Sequence, residues 1–392
     1  MYQHDISNSG FTNSSAPTSM PQEAWSVGTT GSFATVIGSP VVEGGIVYVE
    51  HGSLVAYNAS TGELLWAQLD EGDSAPVVEN NVVYTTKGAF NASTGKQLWA
   101  INGSFCIAVA NGYYYTNYPN SIDNTYYFIA ANATDGEIIW KSRGLTTGSP
   151  AIVDGHLYVA SSTVTALDAY TGQKLWESEA NAGADFSPAV SNNLVYASTV
   201  GGGIYCMSAS SGKTVWNHTV GGLGSPTSPA VAYGYVYVGA GDGHVYAFNA
   251  TTGEKKWDST LAATIGDGIN SSPVLADGAI YVGADDGNLY ALNATTGANL
   301  WNYRVGEDYK TGVPEHLRCS PAIAKGYIYI GSNDVFLIAL EASSTAMREP
   351  NSKVIYIVLV LSPLLFLSVV GVLLLKKVRR KQLLGNANRF LS

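Results

Sequence analysis

Charge is scarce in this 392-residue chain: Asp, Glu, Lys and Arg together make up 13% of it, against 46% hydrophobic residues, 43 Gly and 25 Tyr. That balance excludes a disordered, charge-solvated polymer. Little Lys and Glu beside much Gly and Tyr argues against a helical bundle and for short strands joined by tight turns. Cysteine is nearly absent, and Cys106, Cys206 and Cys319 have no CxxC spacing. A disulfide framework and a zinc site are thereby excluded, leaving one internal disulfide or buried free thiols. The six histidines (His4, His51, His156, His218, His244, His316) form no HxxxH or HExxH pair, so no metal centre is expected. No GxSxG, P-loop or dinucleotide-type glycine pattern occurs in a strand–helix context, and Gly201-Gly202-Gly203 reads as a hairpin turn. Every Asp and Glu lies before Val354, whereas Lys376, Lys377, Arg379, Arg380, Lys381 and Arg389 follow it. A body this acidic excludes nucleic acid as a partner, because phosphate neutralisation needs clustered Lys and Arg.

The long apolar run is Val354–Leu375, 22 residues without a charge. As a helix it would extend roughly 33 Å, enough to cross a bilayer. It ends in Lys376, Lys377, Arg379, Arg380 and Lys381, while only Arg348 and Lys353 lie close on the other side. The positive-inside rule then places the 376–392 tail in the cytoplasm and residues 1–353 outside the membrane. Met1-Tyr2-Gln3-His4-Asp5 is not an export signal. The expectation is a leader encoded upstream; the other arrangement is a tail-anchored chain with a cytoplasmic domain.

The eight tryptophans recur at 25, 66, 99, 140, 176, 216, 257 and 301. The clearest unit runs from Ser272 to Trp301: SPVL, the turn ADG, IYVG, the turn ADDG, LYAL, the turn NATTG, and a final strand carrying the Trp. Four short strands in about forty residues is a β-propeller blade. Unit starts lie at Ser39-Pro40, Ser149-Pro150, Ser187-Pro188, Ser228-Pro229, Ser272-Pro273 and Ser320-Pro321, with weaker ones at Ala75-Pro76 and Phe105-Cys106. The last unit stops before any Trp strand, and Trp25 stands on a strand with no unit before it. The strand of Trp25 is therefore expected to complete the eighth blade, which removes an open edge. The second unit is short and the third carries an extra NYPNSIDN; seven blades would result if the second had collapsed.

The segments AYNASTGELLW, AFNASTGKQLW, ALDAYTGQKLW, CMSASSGKTVW, AFNATTGEKKW and ALNATTGANLW resemble the tryptophan-docking motif of the pyrroloquinoline-quinone-type (quinoprotein-like) propeller repeat. The resemblance covers roughly residues 25–344. It implies that Trp25, Trp66, Trp99, Trp140, Trp176, Trp216, Trp257 and Trp301 are structural and dock adjacent blades. Enzymes of that family have an adjacent Cys-Cys disulfide over the quinone, a calcium held by Glu, Asn and Asp, and a catalytic Asp; no two Cys are adjacent here, so no cofactor is expected. A non-catalytic relative, closer in size, is a lipoprotein scaffold in outer-membrane barrel assembly. The opening HDISNSGFTNSSAPTS resembles the polar lead-in of archaeal cell-surface propellers.

Asn58, Asn91, Asn132, Asn249 and Asn293 occupy one motif position and create Asn-Ala-Ser/Thr sequons; Asn13, Asn102 and Asn217 add candidate glycosylation sites, and Asn270, with Pro273 behind its sequon, is the poorest. Asn at a turn can equally act as local turn chemistry. Asp242-Gly243 and Asp285-Asp286-Gly287 lack the spaced ligands of a calcium loop and read as hairpin turns. Loops at the inter-blade end vary in length and hold Asp70, Glu71, Asp73, Asp267, Glu307 and Asp308; hairpins at that end add Asp242, Asp285 and Asp286. Arg304, Lys310 and Arg318 offset part of this charge. An acidic face is expected there, suited to a basic protein partner or divalent cations. The whole reads as an all-β protein: a polar lead-in (1–24), an eight-bladed propeller (25–344), a linker (345–353), one transmembrane helix (354–375) and a basic tail. The expected role is a non-enzymatic binding or scaffold module of the cell envelope. The alternatives are an assembly factor taking extended segments by strand addition and a quinone-dependent dehydrogenase.

Overall fold

The structure is a computed structural model. It describes residues 8–28, 38–50, 52–69, 74–120, 125–144, 148–179, 186–221, 226–261, 268–305, 316–332 and 336–342. The expected linker, membrane helix and basic tail lie outside these residues. Among the described residues no helix is long and apolar enough to cross a membrane.

Eight four-stranded antiparallel sheets are present. Blades 1 to 7 are continuous in sequence: 41–69, 77–100, 104–143, 151–177, 189–219, 230–260 and 274–304. Blade 8 takes three strands from Ala322–Ala324, Tyr327–Gly331 and Phe336–Ala342, and its outer strand from Pro21–Gly28. The strand of Trp25 thus closes the ring, as its isolation in the sequence requires. Blade 2 keeps all four strands at three or four residues each, its second and third strands joined by Thr86-Lys87 alone. In blade 3 the surplus residues extend one hairpin, Tyr113–Asn120 against Thr125–Asn132. Its weak start has a backbone cause: the inner strand Ser104–Ala110 opens on an irregularity between Ser104 and Ile107, with Phe105 at φ +67°.

Each buried cluster fills the space between two neighbouring sheets. One joins Trp25, Tyr329 and Ala339 of blade 8 to Val47, Val49 and Tyr57 of blade 1. A single sheet could not cover both its faces; the ring does. The joint at each junction repeats. The residue before every motif Trp is skipped in the pairing, a one-residue bulge that occurs in all eight blades. The bulge re-aims the strand. The skipped residue turns to solvent, as Leu65, Leu98, Ile139, Leu175, Val215 and Leu300 do. Opposite the Trp stands a small residue, Ala56, Ala89, Ala130, Ala166, Cys206, Ala247, Ala291 or Ala339.

The indole then reaches the next blade. Trp66 Nε1 donates to the Ala92 carbonyl at 2.9 Å, and the same bond joins Trp25 to Ala59, Trp99 to Ala133, Trp140 to Ala169, Trp176 to Ala209, Trp216 to Ala250 and Trp257 to Ala294. Beneath the rings of these seven lies the motif glycine, from Gly62 under Trp25 to Gly297 under Trp257. At Gly172, φ is +71° and a Cβ would sit 2.6 Å from the Trp140 ring. Both the turn and the packing therefore require glycine there.

Candidate functional site

Strand alternation sorts the connections onto two ends of the ring. The inter-blade loops and the second-to-third-strand hairpins share one end. The Asn-Ala turns and the first hairpins share the other.

At the loop end the structure describes three of the nine residues of the expected acidic face, Asp242, Asp285 and Asp286. Asp242 and Asp286 occupy the same hairpin position in blades 6 and 7. Their Oδ1 atoms accept the His244 and Asn288 amides, at 3.1 and 2.9 Å, and their Oδ2 atoms accept the Tyr246 and Tyr290 hydroxyls. Burial, and then these carboxylates, push both phenols well above the usual tyrosine range. Each aspartate thus caps its own hairpin turn. Asp285 is a correction to the expected face: it is 4% exposed. Arg318 donates to it from Nε and Nη2, both at 3.1 Å, Asn270 Nδ2 donates at 2.7 Å, and His316 Nδ1 stands 3.5 Å away. A carboxylate buried at a blade junction must be paired, and the segment that leads from blade 7 into blade 8 supplies the pair. Asp70, Glu71, Asp73, Asp267, Glu307 and Asp308 lie outside the described residues.

At the other end stand the repeated asparagines. The Oδ1 of Asn58 accepts the Ser60 and Thr61 amides, and Asn91, Asn132, Asn249 and Asn293 cap their turns alike. Asp168 does the same in blade 4. These bonds use Oδ1 and not the glycan-bearing Nδ2, so turn capping and glycosylation are compatible. Asn270 differs: its Nδ2 is engaged by Asp285. Asn13, Asn102 and Asn217 are exposed.

The lead-in, expected only to be polar, is held along its length by bonds to blades 4 to 8. Asn8, 2% exposed, donates from Nδ2 to the carbonyls of Ser149 (3.0 Å) and Pro188 (3.2 Å), which enter the inner strands of blades 4 and 5. Ser9 accepts the Val231 amide of the inner strand of blade 6. Gly10 accepts the Leu275 amide of blade 7, and the Thr12 amide returns a bond to the Leu275 carbonyl. Phe11 pairs in parallel with Leu275. Further on, the Ala16 amide reaches Asp277 Oδ2, Gly326 donates to Ser15, and Pro17 accepts both Trp301 Nε1 and Tyr281 Oη. Pro17 is thus the acceptor for the eighth Trp. A signal existed: the last unit has no Asn-Ala turn, so Trp301 needed an acceptor from elsewhere.

The inner strands line the axis, and residues 8–12 run along them. The residues present do not fit an axial quinone: the chain itself occupies that wall, and Cys106, Cys206 and Cys319 are three free, buried thiols. Burial pushes the Cys206 and Cys319 thiols up to about 12, which makes them poor nucleophiles and ligands. Among the described residues no group of three or more His, Cys, Asp or Glu is placed to hold a metal ion.

A family model described as outer membrane protein assembly factor BamB matches residues 20–104 and 160–359. Two curated proteins are similar in sequence. One is a tetrathionate hydrolase of Acidithiobacillus ferrooxidans, 27% identical over 50% of this chain and 40% of that protein. The other is the outer membrane protein assembly factor BamB of Legionella pneumophila, 30% identical over 44% of this chain and 50% of that protein. The chain spans half or less of the length of these relatives. In fold it is similar to BamB from Moraxella catarrhalis, with a TM-score of 0.62 and 18% identity over 82% of this chain and 100% of that one. It is also similar to the quinohemoprotein alcohol dehydrogenase ADHIIG from Pseudomonas putida HK5, with a TM-score of 0.69 and 12% identity over 90% and 81%. At these identities the two structures speak for the propeller alone.

Proposed function

The chain belongs to the family described as outer membrane protein assembly factor BamB, and from that premise we propose that it is a non-enzymatic scaffold of the cell envelope that holds extended segments of protein partners. The apolar run 354–375 anchors it in the membrane, with the propeller outside and the basic tail in the cytoplasm. The misfit of a quinone at the axis weighs against the dehydrogenase alternative.

The observation that carries the reading is the outer strand of blade 1, Leu64–Leu69. An outer strand leaves one row of amides and carbonyls unpaired, and proteins blunt such edges with charge. Lys141 and Arg143 stand on the outer strand of blade 3, and the ion pairs Lys174–Glu177 and Lys255–Asp258 on those of blades 4 and 6. The strand LLWAQL has no charge and exposes Leu64, Leu65 and Leu69 at 37, 43 and 78%. Strand addition to such an edge takes its affinity from main-chain bonds and its selectivity from alternate side chains. The test is binding of an eight-residue peptide of alternating apolar and polar residues, followed by fluorescence anisotropy. Leu65→Lys with Leu69→Lys should weaken it at least tenfold while leaving Tm unchanged, since both leucines face solvent. Equal affinity in the variant, or no binding by the native protein, refutes the reading.

A further inference from the structure

The wall of the axis already holds one extended peptide, the chain's own lead-in, and the manner of its holding is general. Three main-chain bonds attach it: Val231 N–H to the Ser9 carbonyl at 2.6 Å, Leu275 N–H to the Gly10 carbonyl at 2.8 Å, and Thr12 N–H to the Leu275 carbonyl at 2.9 Å. They come from the inner strands Ala230–Ala232 and Val274–Ala276, each the first strand of its sheet and therefore free on its axial edge. The parallel Phe11–Leu275 pairing makes residues 10–12 a short extra strand of blade 7.

Side chains add selection at three points. A Cβ at Gly10 would meet the Ala230 Cβ at 2.6 Å and the Pro273 carbonyl at 3.0 Å, with φ at +70°, so only glycine passes there. Phe11 packs on the Tyr233 ring edge-on, centroids 5.5 Å apart, against the apolar cluster between blades 6 and 7. Asn8 bridges blades 4 and 5 through a buried amide. Glycine followed by an aromatic, two residues after an asparagine, is a recognition pattern and not mere filler.

We infer that the axial channel is a binding site for one extended polypeptide segment of the form Asn-x-Gly-aromatic, and that residues 8–17 occupy it in cis. The site is separate from the outer edge of blade 1, and neither depends on the other. Pro17 ties the occupant to the ring by accepting Trp301 and Tyr281 at the far end of the blade 7–8 junction. The occupant is thus tethered at its exit and held by main-chain bonds along its length, an arrangement that a segment of the same pattern can replace in trans.

The experiment uses the full chain. Gly10→Val should expel residues 8–12 while leaving the eight Trp junctions intact. Hydrogen exchange at the Val231 and Leu275 amides should quicken at least tenfold in this variant. A synthetic peptide of residues 8–17 should then bind the variant one-to-one and restore protection at both amides. The same peptide carrying Gly10→Val should not bind, and the native protein should bind neither. Asn8→Ala provides a milder second case: it keeps the glycine, should leave Tm within about 2 °C, and should raise exchange at the same two amides. Amides that stay protected in both variants, or lose protection that the peptide fails to restore, overturn the inference. If the edge of blade 1 fails its own peptide test, these readouts are unaffected, so the two failures are distinguishable.

Discussion

At each blade junction one carbonyl oxygen commonly serves two aromatic donors. Ala250 accepts Trp216 Nε1 at 3.0 Å and Tyr196 Oη at 3.1 Å, and Tyr48, Tyr115, Tyr158, Tyr237, Tyr281 and Tyr329 share an acceptor with a Trp in the same way. The indole carries most of the apolar area, so Trp216→Ala should cost roughly 3–5 kcal/mol in chemical denaturation. Trp216→Phe keeps area and loses the N–H, and should cost about 1 kcal/mol beyond its smaller volume. Equal losses would mean that the hydrogen bond, not the packing, holds the joint. Asp168 supports a pH test of the turns. The Thr171 hydroxyl and amide, with the Tyr170 amide, hold its carboxyl below the usual aspartate range. A lowered native pKa gives stability that is complete above the unfolded value near about 3.9 and is lost as pH falls through the native one. The Tm curves of the native protein and Asp168→Asn should therefore run parallel above about pH 5 and draw together below about pH 4.

At the scale of elements, the bulge before each Trp does two things at once. It turns the indole toward the next blade, and it leaves the preceding residue on the rim, which explains why apolar residues recur in solvent at that one position. Blade 8 is the element in which closure is decided. Its outer strand, Pro21–Gly28, pairs with Phe336–Ala342 across the two ends of the described chain. Deleting residues 1–28 removes that strand, exposes the edge of Phe336–Ala342 and strips Pro17 from Trp301 and Tyr281. Tm should fall by more than about 10 °C. An unchanged Tm would show that blade 8 is stable with three strands and that closure is dispensable.

For the whole molecule, the proposed membrane anchor with the propeller outside carries a test of its own. The charge step after Leu375 and the recurrence of Asn-Ala-Ser/Thr at capped, partly exposed turns both favour the outside. Protease added to intact cells should then remove the propeller and spare the basic tail. Cleavage only after permeabilisation would put the domain in the cytoplasm and remove the envelope role with it.

The blade count, the four-strand unit, the docking residues and the closure by Trp25 were all legible in the sequence. The four-strand unit and its Trp are a local pattern that recurs in every blade, and repetition makes a weak local signal strong; the closure showed as the two breaks in that pattern, a Trp strand without a unit and a unit without a Trp strand. Asx capping was legible for the same reason, since the donors lie two and three residues from the acceptor. Tertiary structure alone decided the contacts that no repeat announces. The burial of Asp285 depends on Arg318, 33 residues away, and on the blade junction that brings the two together. The path of Asn8 to Pro17 depends largely on backbone carbonyls and amides of blades 4 to 8, as distant in sequence as Gly326 is from Ser15, and the backbone carries no residue-type signature. A period of forty residues states how blades are built and how many there are. It is silent on the lead-in, because that segment's place is set by the inner edges of blades 6 and 7, which only the tertiary structure brings to it.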